Sequence, residues 1–183
     1  MKTLRIASLL ALSLFFVAWA PTASAQDVVP AKEPATSPLQ MSAMMFENGT
    51  YVKLTYHSPR RKGRTIFGEL VPYGRRWRLG ANNATEITTT GNLMFGGKRL
   101  NAGTYALSAI PGEDEWTIIV NNSLGQWGTR YDESMDEFRV QVPVTETAAI
   151  HEGLSIDLEN GDSGAAMVIT WEQTQVLVPI TVR

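Results

Sequence analysis

The side chains able to do chemistry are few and unevenly placed. There are two histidines, His57 and His151, and no cysteine anywhere. Thiolate metal sites, a cysteine nucleophile and disulfides are therefore excluded together. His57 closes a polar-faced run and directly precedes the turn Ser58-Pro59-Arg60, a position where loops carry function. To act as a general acid or base it needs a carboxylate or a substrate within hydrogen-bond reach. Glu86 and Asp132 are the carboxylates considered for that role. Seven basic residues, Arg60, Arg61, Lys62, Arg64, Arg75, Arg76 and Arg78, crowd residues 60–78 against the single acid Glu69. Seven acids between Glu113 and Glu137 face only Arg130. Either the two blocks neutralise each other or are solvated surface, or the arginines form an anion site, since the planar guanidinium fork matches carboxylate and phosphate.

Other suggestive words fail on spacing. Gly161-Asp162-Ser163-Gly164 resembles the nucleophile word of chymotrypsin-type proteases, but the only nearby histidine, His151, lies twelve residues before Ser163. Turn chemistry accounts for the same letters. Asp157, Glu159, Asn160 and Asp162 suggest a calcium loop, yet Val168 stands where a bidentate glutamate is required. No His-x-His, His-Glu-x-x-His or glycine-rich phosphate loop occurs, so no metal and no cofactor are expected. Of the tryptophans, Trp116 and Trp171 sit in apolar runs and default to core. Trp127 lies in the glycine-flanked Leu124-Gly125-Gln126-Trp127-Gly128, where an indole either stacks on a sugar or partner or caps an open end of the fold.

The elements that position these groups read as strands. In residues 50–57, Val52, Leu54 and Tyr56 share one face, and Tyr51, Lys53, Thr55 and His57 the other. Residues 85–90 alternate likewise around Ile87. Residues 92–95 and 104–110 flank a turn-rich connection, Gly96 to Gly103, read as a hairpin with a small extra arm. Residues 116–121 follow the turn at Pro111-Gly112. Residues 138–144 form a further strand, with Pro143 implying an edge or a strand end. Runs at 154–158, 165–171 and 175–182, separated by turns at 160–164 and 172–174, read as a meander. The expected fold is an all-β antiparallel sandwich, jelly-roll or immunoglobulin-like, of about nine strands. Helix is confined to a possible short turn near Asp132 to Glu137. If Trp77 and Leu79 face the core, Arg76 and Arg78 face away from it.

Lys2 and Arg5, the apolar stretch from Ile6 to Trp19 and Ala23-Ser24-Ala25 make residues 1–25 a signal peptide. Residues 26–42, with Pro30, Pro34 and Pro38, read as a flexible linker. Residues 43–183 are then a single domain. The formal net charge of the 183-residue chain is −2, and nothing in that balance points to nucleic acid. No apolar run beyond residue 25 is long enough to span a bilayer. The expected location is therefore periplasmic or secreted.

Ser58-Pro59-Arg60, Gly63-Arg64, Ile66-Phe67-Gly68, Leu70-Val71-Pro72-Tyr73-Gly74, Trp77-Arg78, Gly80-Ala81-Asn82 and Ala84-Thr85 occur in order. Gly103-Thr104-Tyr105, Ile110-Pro111-Gly112 and Glu115-Trp116-Thr117-Ile118-Ile119 follow. This succession resembles the signature of a family of exported bacterial proteins catalogued as a domain of unknown function. The resemblance runs from about residue 41 to the end. It implies an exported β-rich domain and brings no catalytic residue.

The reading that unites these features is a binding or interaction domain, more a binder than an enzyme. Its polar site comprises His57, Arg60, Arg64, Tyr73, Arg78, Asn82, Glu86 and Trp127. The expected ligand is small and anionic or carbohydrate. Two alternatives stand beside it: a hydrolase or isomerase using His57 with a carboxylate, and an envelope assembly or scaffolding factor in which residues 60–78 dock an acidic envelope protein.

Overall fold

The computed structural model describes residues 36–161 and 164–182, which belong to one compact unit. The expected signal peptide and most of the expected linker lie outside the described residues. The protein is all-β, with nine strands: β1 (Leu39–Met45), β2 (Tyr51–His57), β3 (Thr85–Thr89), β4 (Leu93–Phe95), β5 (Lys98–Leu100), β6 (Gly103–Ile110), β7 (Glu115–Asn121), β8 (Asp136–Gly161) and β9 (Gly164–Val182). Every pairing between them is antiparallel, and they run in one hydrogen-bonded order, β1-β2-β3-β6-β7-β8-β9-β4-β5. The only helix among the described residues is a 3₁₀ turn, Glu133–Met135, inside the Asp132 to Glu137 span expected to hold any short helical turn. Among the described residues no helix is long and apolar enough to cross a membrane.

Alternation produced the outer strands as expected. Val52, Leu54 and Tyr56 of β2 are buried while their neighbours are half-exposed, and Thr85, Ile87 and Thr89 of β3 are buried likewise. The inner strands β6 and β7 are buried on both faces over Tyr105–Ala109 and Ile118–Asn121. The segment after β7 supplies the second cover: Ala106, Ser108 and Asn121 share a small hollow with Gln126, Gly128 and Tyr131. One apolar cluster runs through the strand order, with Val52 and Leu54 from β2, Ile156 from β8, Val178 from β9 and Leu100 from β5 among its members. The Leu158 amide also donates to Ser42 Oγ of β1 at 2.9 Å. β8 thus touches the first strand through a side chain, without a ladder between them.

Four departures from expectation have local causes. The strand β1 starts at Leu39, inside the span read as linker, and pairs fully with β2 from Leu39↔His57 to Met45↔Tyr51. Its apolar residues Leu39, Met41 and Met45 face outward and are exposed, so no inward alternation announces it. Pro143 does not end a strand. It occupies the last rung opposite β7, at Glu115, and the next residue pairs with Val176 of β9. A residue without an N–H fits where the ladder changes partner. Residues 165–182 are one strand and not two arms of a meander. The expected turn at 172–174 lies within that strand, opposite an irregular stretch of β8, and Glu172 there adopts φ 57°, while the end of β9 goes on to pair with β4. Finally, β4 forms its hairpin with β5, the extra arm, and not with β6.

Candidate functional site

The segment from Ser58 to Asn82, between β2 and β3, has almost no regular structure and is held by bonds to distant strands. Ser58 Oγ donates to the Leu154 carbonyl at 2.7 Å, and the Leu154 amide donates to the Pro59 carbonyl at 3.0 Å. The Arg61 amide donates to Glu152 O at 2.7 Å, and the Lys62 amide to Glu152 Oε1 at 2.7 Å. From β9, Glu172, whose backbone is left-handed at φ 57°, accepts from Arg61 Nε at 3.2 Å and from the Ile66 amide at 3.0 Å. Arg64 then folds back, Nε donating to Arg61 O and Nη2 to Arg60 O at 2.8 and 2.7 Å.

The second half of the segment is built around Trp77. Its amide and carbonyl exchange hydrogen bonds with Ala109 at 2.7 and 2.9 Å. The Trp77 ring stacks on Trp171 with centroids 5.8 Å apart and meets Phe67 and Trp116 edge-on at 5.9 and 6.0 Å. Beyond it the chain turns sharply through Leu79 (φ 52°), Gly80 (φ 155°) and Asn82 (φ 55°). Thr85 Oγ1 pins the Leu79 carbonyl at 2.6 Å. At Gly80 a Cβ would lie 3.1 Å from both the His57 carbonyl and Thr85 Oγ1, so that tight turn requires glycine. Residues 82–84 then pair with the Trp127 loop: the Gly128 amide donates to Asn82 O and the Ala84 amide to Gln126 O.

These turns enclose a cleft of about 800 Å³. Arg64, Arg76, Arg78 and Asn82 line it with Trp77 and Trp171, and Pro59, Leu70 and Val71 supply apolar wall. No carboxylate is among its lining residues, and among the described residues none of the three arginines forms an ion pair. Arg76 donates to Gly128 O and Thr129 O at 3.2 to 3.5 Å and lies 4.4 Å from the Tyr131 ring centroid. Burial pushes its guanidinium below the ordinary arginine value, against the opposing pull of Tyr131 and Asp136. Arg78 Nε donates to Gly80 O at 3.2 Å. Its two terminal nitrogens meet no acceptor among the described residues.

The eight residues expected to form one site are divided. Arg64, Arg78 and Asn82 meet in the cleft. His57 and Glu86 share a separate hollow of about 320 Å³ with Leu39, Asn83 and Gly125, and Glu86 Oε1 accepts from the Gly125 amide at 3.0 Å. Trp127 is 51 % exposed and bridges to Asn83 through its backbone, lining neither space. Arg60 lies outside the cleft lining: its backbone bridges to Gly153 of β8, and a Cβ on that glycine would lie 2.9 Å from Arg60 Nη1. Tyr73 covers Gly68, and burial first, then Glu113 and Glu172, raise its phenol above the usual 10.0. Asp132 caps the 3₁₀ turn, accepting from the Ser134 amide and hydroxyl, and these bonds hold it below the usual carboxylate value. It does not line the His57 hollow.

Two cleft features escaped the sequence reading. Arg76 was legible in principle, because the alternation that turns Arg78 away from the core turns Arg76 with it. Trp171 was not, because it arrives from β9 about ninety residues downstream. The opposed charge blocks do not pair with each other among the described residues. The basic block reaches Glu172, and the acidic block is held by Arg139, whose Nη2 lies within hydrogen-bond distance of Glu133 and Asp136. The turn at 161–164 closes with Gly161↔Gly164, while Asp162 and Ser163 lie outside the described residues. Among the described residues no group of three or more His, Asp or Glu could hold a metal ion.

The family model described as Protein of unknown function (DUF2911) matches residues 37–180. No curated protein and no solved structure matches the chain.

Proposed function

We propose that the chain, which belongs to the DUF2911 family, is a non-enzymatic binding domain that captures an anionic ligand in the Arg64–Arg76–Arg78 cleft. The observation that carries this reading is three arginines on one cleft, none ion-paired among the described residues, with no carboxylate in the lining. Clustered like charges destabilise a fold unless a counter-charge answers them. A bound oxyanion supplies that charge through short charge-assisted hydrogen bonds. The reading of residues 60–78 as a dock for an acidic envelope protein has less support, because Arg61 is paired with Glu172 and Arg64, Arg76 and Arg78 line one cleft together. Export belongs to the same proposal and rests on Lys2, Arg5, the apolar stretch 6–19 and Ala23-Ser24-Ala25. Catalysis by His57 with Glu86 has one observation in its favour, their shared hollow, and one against it, the commitment of Glu86 to the Gly125 amide.

A ligand that binds only the native state raises the unfolding temperature by mass action. Millimolar phosphate, sulfate, acetate and benzoate, each compared with chloride at equal ionic strength, are expected to include at least one that raises Tm for the parent chain and not for Arg78→Ala. Equal shifts in both proteins, or no shift with any oxyanion, would remove the proposal.

A further inference from the structure

The cleft says more about its ligand than the sign of the charge. We infer that the ligand is an organic oxyanion, a carboxylate or a phosphate or sulfate ester, carried on a flat apolar body. This inference rests on the anion-binding reading above and narrows it.

Size is the first reason. A cleft of about 800 Å³ lies at the upper end of the range that encloses drug-sized ligands, and an inorganic oxyanion would leave most of it to water. The donor and acceptor balance is the second. Arginine donates and never accepts. The terminal nitrogens of Arg78 and Nη1 of Arg64 have no acceptor among the described residues, so the cleft offers unmet donors. Its side-chain acceptors are Asn82 and the hydroxyls of Thr36, Ser37 and Thr129. A sugar brings a donor with every hydroxyl, and a buried donor without an acceptor is destabilising. A carboxylate or phosphate brings only acceptors where it meets the guanidinium forks, and it matches a surplus of donors. The third reason is the aromatic floor. Trp77 is wedged by Trp171, Phe67 and Trp116, so its ring position is fixed before any ligand arrives and little ordering is lost on binding. Beside it, Leu70, Val71 and Pro59 extend the apolar surface. The charge and the apolar floor lie in one space, which suits a ligand with both.

Isothermal titration of the full chain with five probes separates the possibilities: 2-naphthoate, 2-naphthyl phosphate, 2-naphthamide, inorganic phosphate and galacturonate. At least one naphthyl oxyanion is expected to bind about tenfold or more tighter than naphthamide, phosphate and galacturonate, since one charge-assisted bond is worth about 1.5–3 kcal/mol. Which of the two naphthyl oxyanions wins assigns carboxylate or phosphate. The preference should fall by about tenfold in Arg78→Ala. Arg78→Lys, which keeps the charge and loses the fork, should be intermediate, and it stands in if the alanine variant does not fold. Galacturonate or phosphate binding as tightly as the naphthyl oxyanions would overturn the ligand class while leaving an anion site in place. Naphthamide binding equally well would overturn it by removing the need for charge. Failure of every oxyanion to bind would take down the anion reading itself.

Discussion

A methyl group at Gly128 would lie 2.7 Å from Cδ and 3.0 Å from Cβ of Arg78, and 3.0 Å from the Asn82 carbonyl. Gly128 also donates its amide to that carbonyl, so the backbone cannot simply retreat. The arginine must move instead. Gly128→Ala is therefore expected to weaken oxyanion binding by about tenfold, the worth of one displaced charge-assisted hydrogen bond. Overpacking should cost about 1–3 kcal/mol of stability at the same time. Calorimetric titration and urea unfolding of the one variant check both, and unchanged affinity would mean that Arg78 does not touch the ligand. How far these residues were legible follows from the same geometry. Arg64, Arg78 and Asn82 come from one turn-rich stretch whose composition already suggested a site. Their separation from His57 and Glu86 was not legible, because it depends on residues 82–84 pairing with 126–128 between the two hollows, a contact that no periodicity announces. Nor does composition show that the Arg60 backbone bridges to Gly153 of β8.

Strands show which turns the chain was built to make. The β4–β5 hairpin closes through Gly96 and Gly97, with φ of 56° and 80°, and two left-handed residues in a two-residue loop match the twist of the flanking strands. The two glycines differ in surroundings. A Cβ at Gly97 meets nothing within 4 Å, whereas at Gly96 it would lie 2.8 Å from Val140 Cγ2 of β8. Gly97→Ala should cost about 1–2 kcal/mol, the left-handed penalty alone. Gly96→Ala should cost about 1–3 kcal/mol more, because Val140 must also yield. Urea denaturation of both variants gives the difference, and equal losses would mean that the hairpin is not packed on β8 as described. This element was half legible: Gly-Gly announced a tight turn, but not that β4 would join β9. The long strands β8 and β9 were the least legible. Each carries a residue that reads as an end, Pro143 in the first and Glu172 in the second, and in each case the strand runs on, to a new partner after Pro143 and still along β8 after Glu172. By contrast β2, β3 and β7 were read nearly to the residue, because each has one buried face set against a half-exposed one or a continuous apolar run.

At the scale of the whole molecule, a chain without cysteine holds its shape by packing, and four tyrosines on distant parts of the chain, Tyr73 the most exposed of them, are partly desolvated by it. Tyr56 on β2, Tyr73 in the cleft segment, Tyr105 on β6 and Tyr131 in the loop after β7 all have phenols raised above 10.0, with burial the largest cause in each. Negative neighbours add to it: Asp157 at Tyr56, Glu113 and Glu172 at Tyr73, Glu137 at Tyr105, and the Asp136 carboxylate that accepts from the Tyr131 hydroxyl. Above pH ~10 an unfolded tyrosine has released its proton, while the folded one still holds it. The native state then binds more protons than the unfolded state, and stability falls as pH rises. The contribution is complete below the unfolded value and disappears as pH passes through the raised folded values. Urea midpoints should therefore decline steeply above pH ~10, with phenolate absorbance near 295 nm appearing together with unfolding and not before it. Tyr131→Phe should be less stable than the parent at pH 8, where it lacks the bond to Asp136, and should show a shallower alkaline decline, having one raised phenol fewer. An alkaline decline of equal slope in the two proteins would show that Tyr131 carries no part of it, and phenolate absorbance rising well ahead of unfolding would show that the tyrosines titrate as free surface groups.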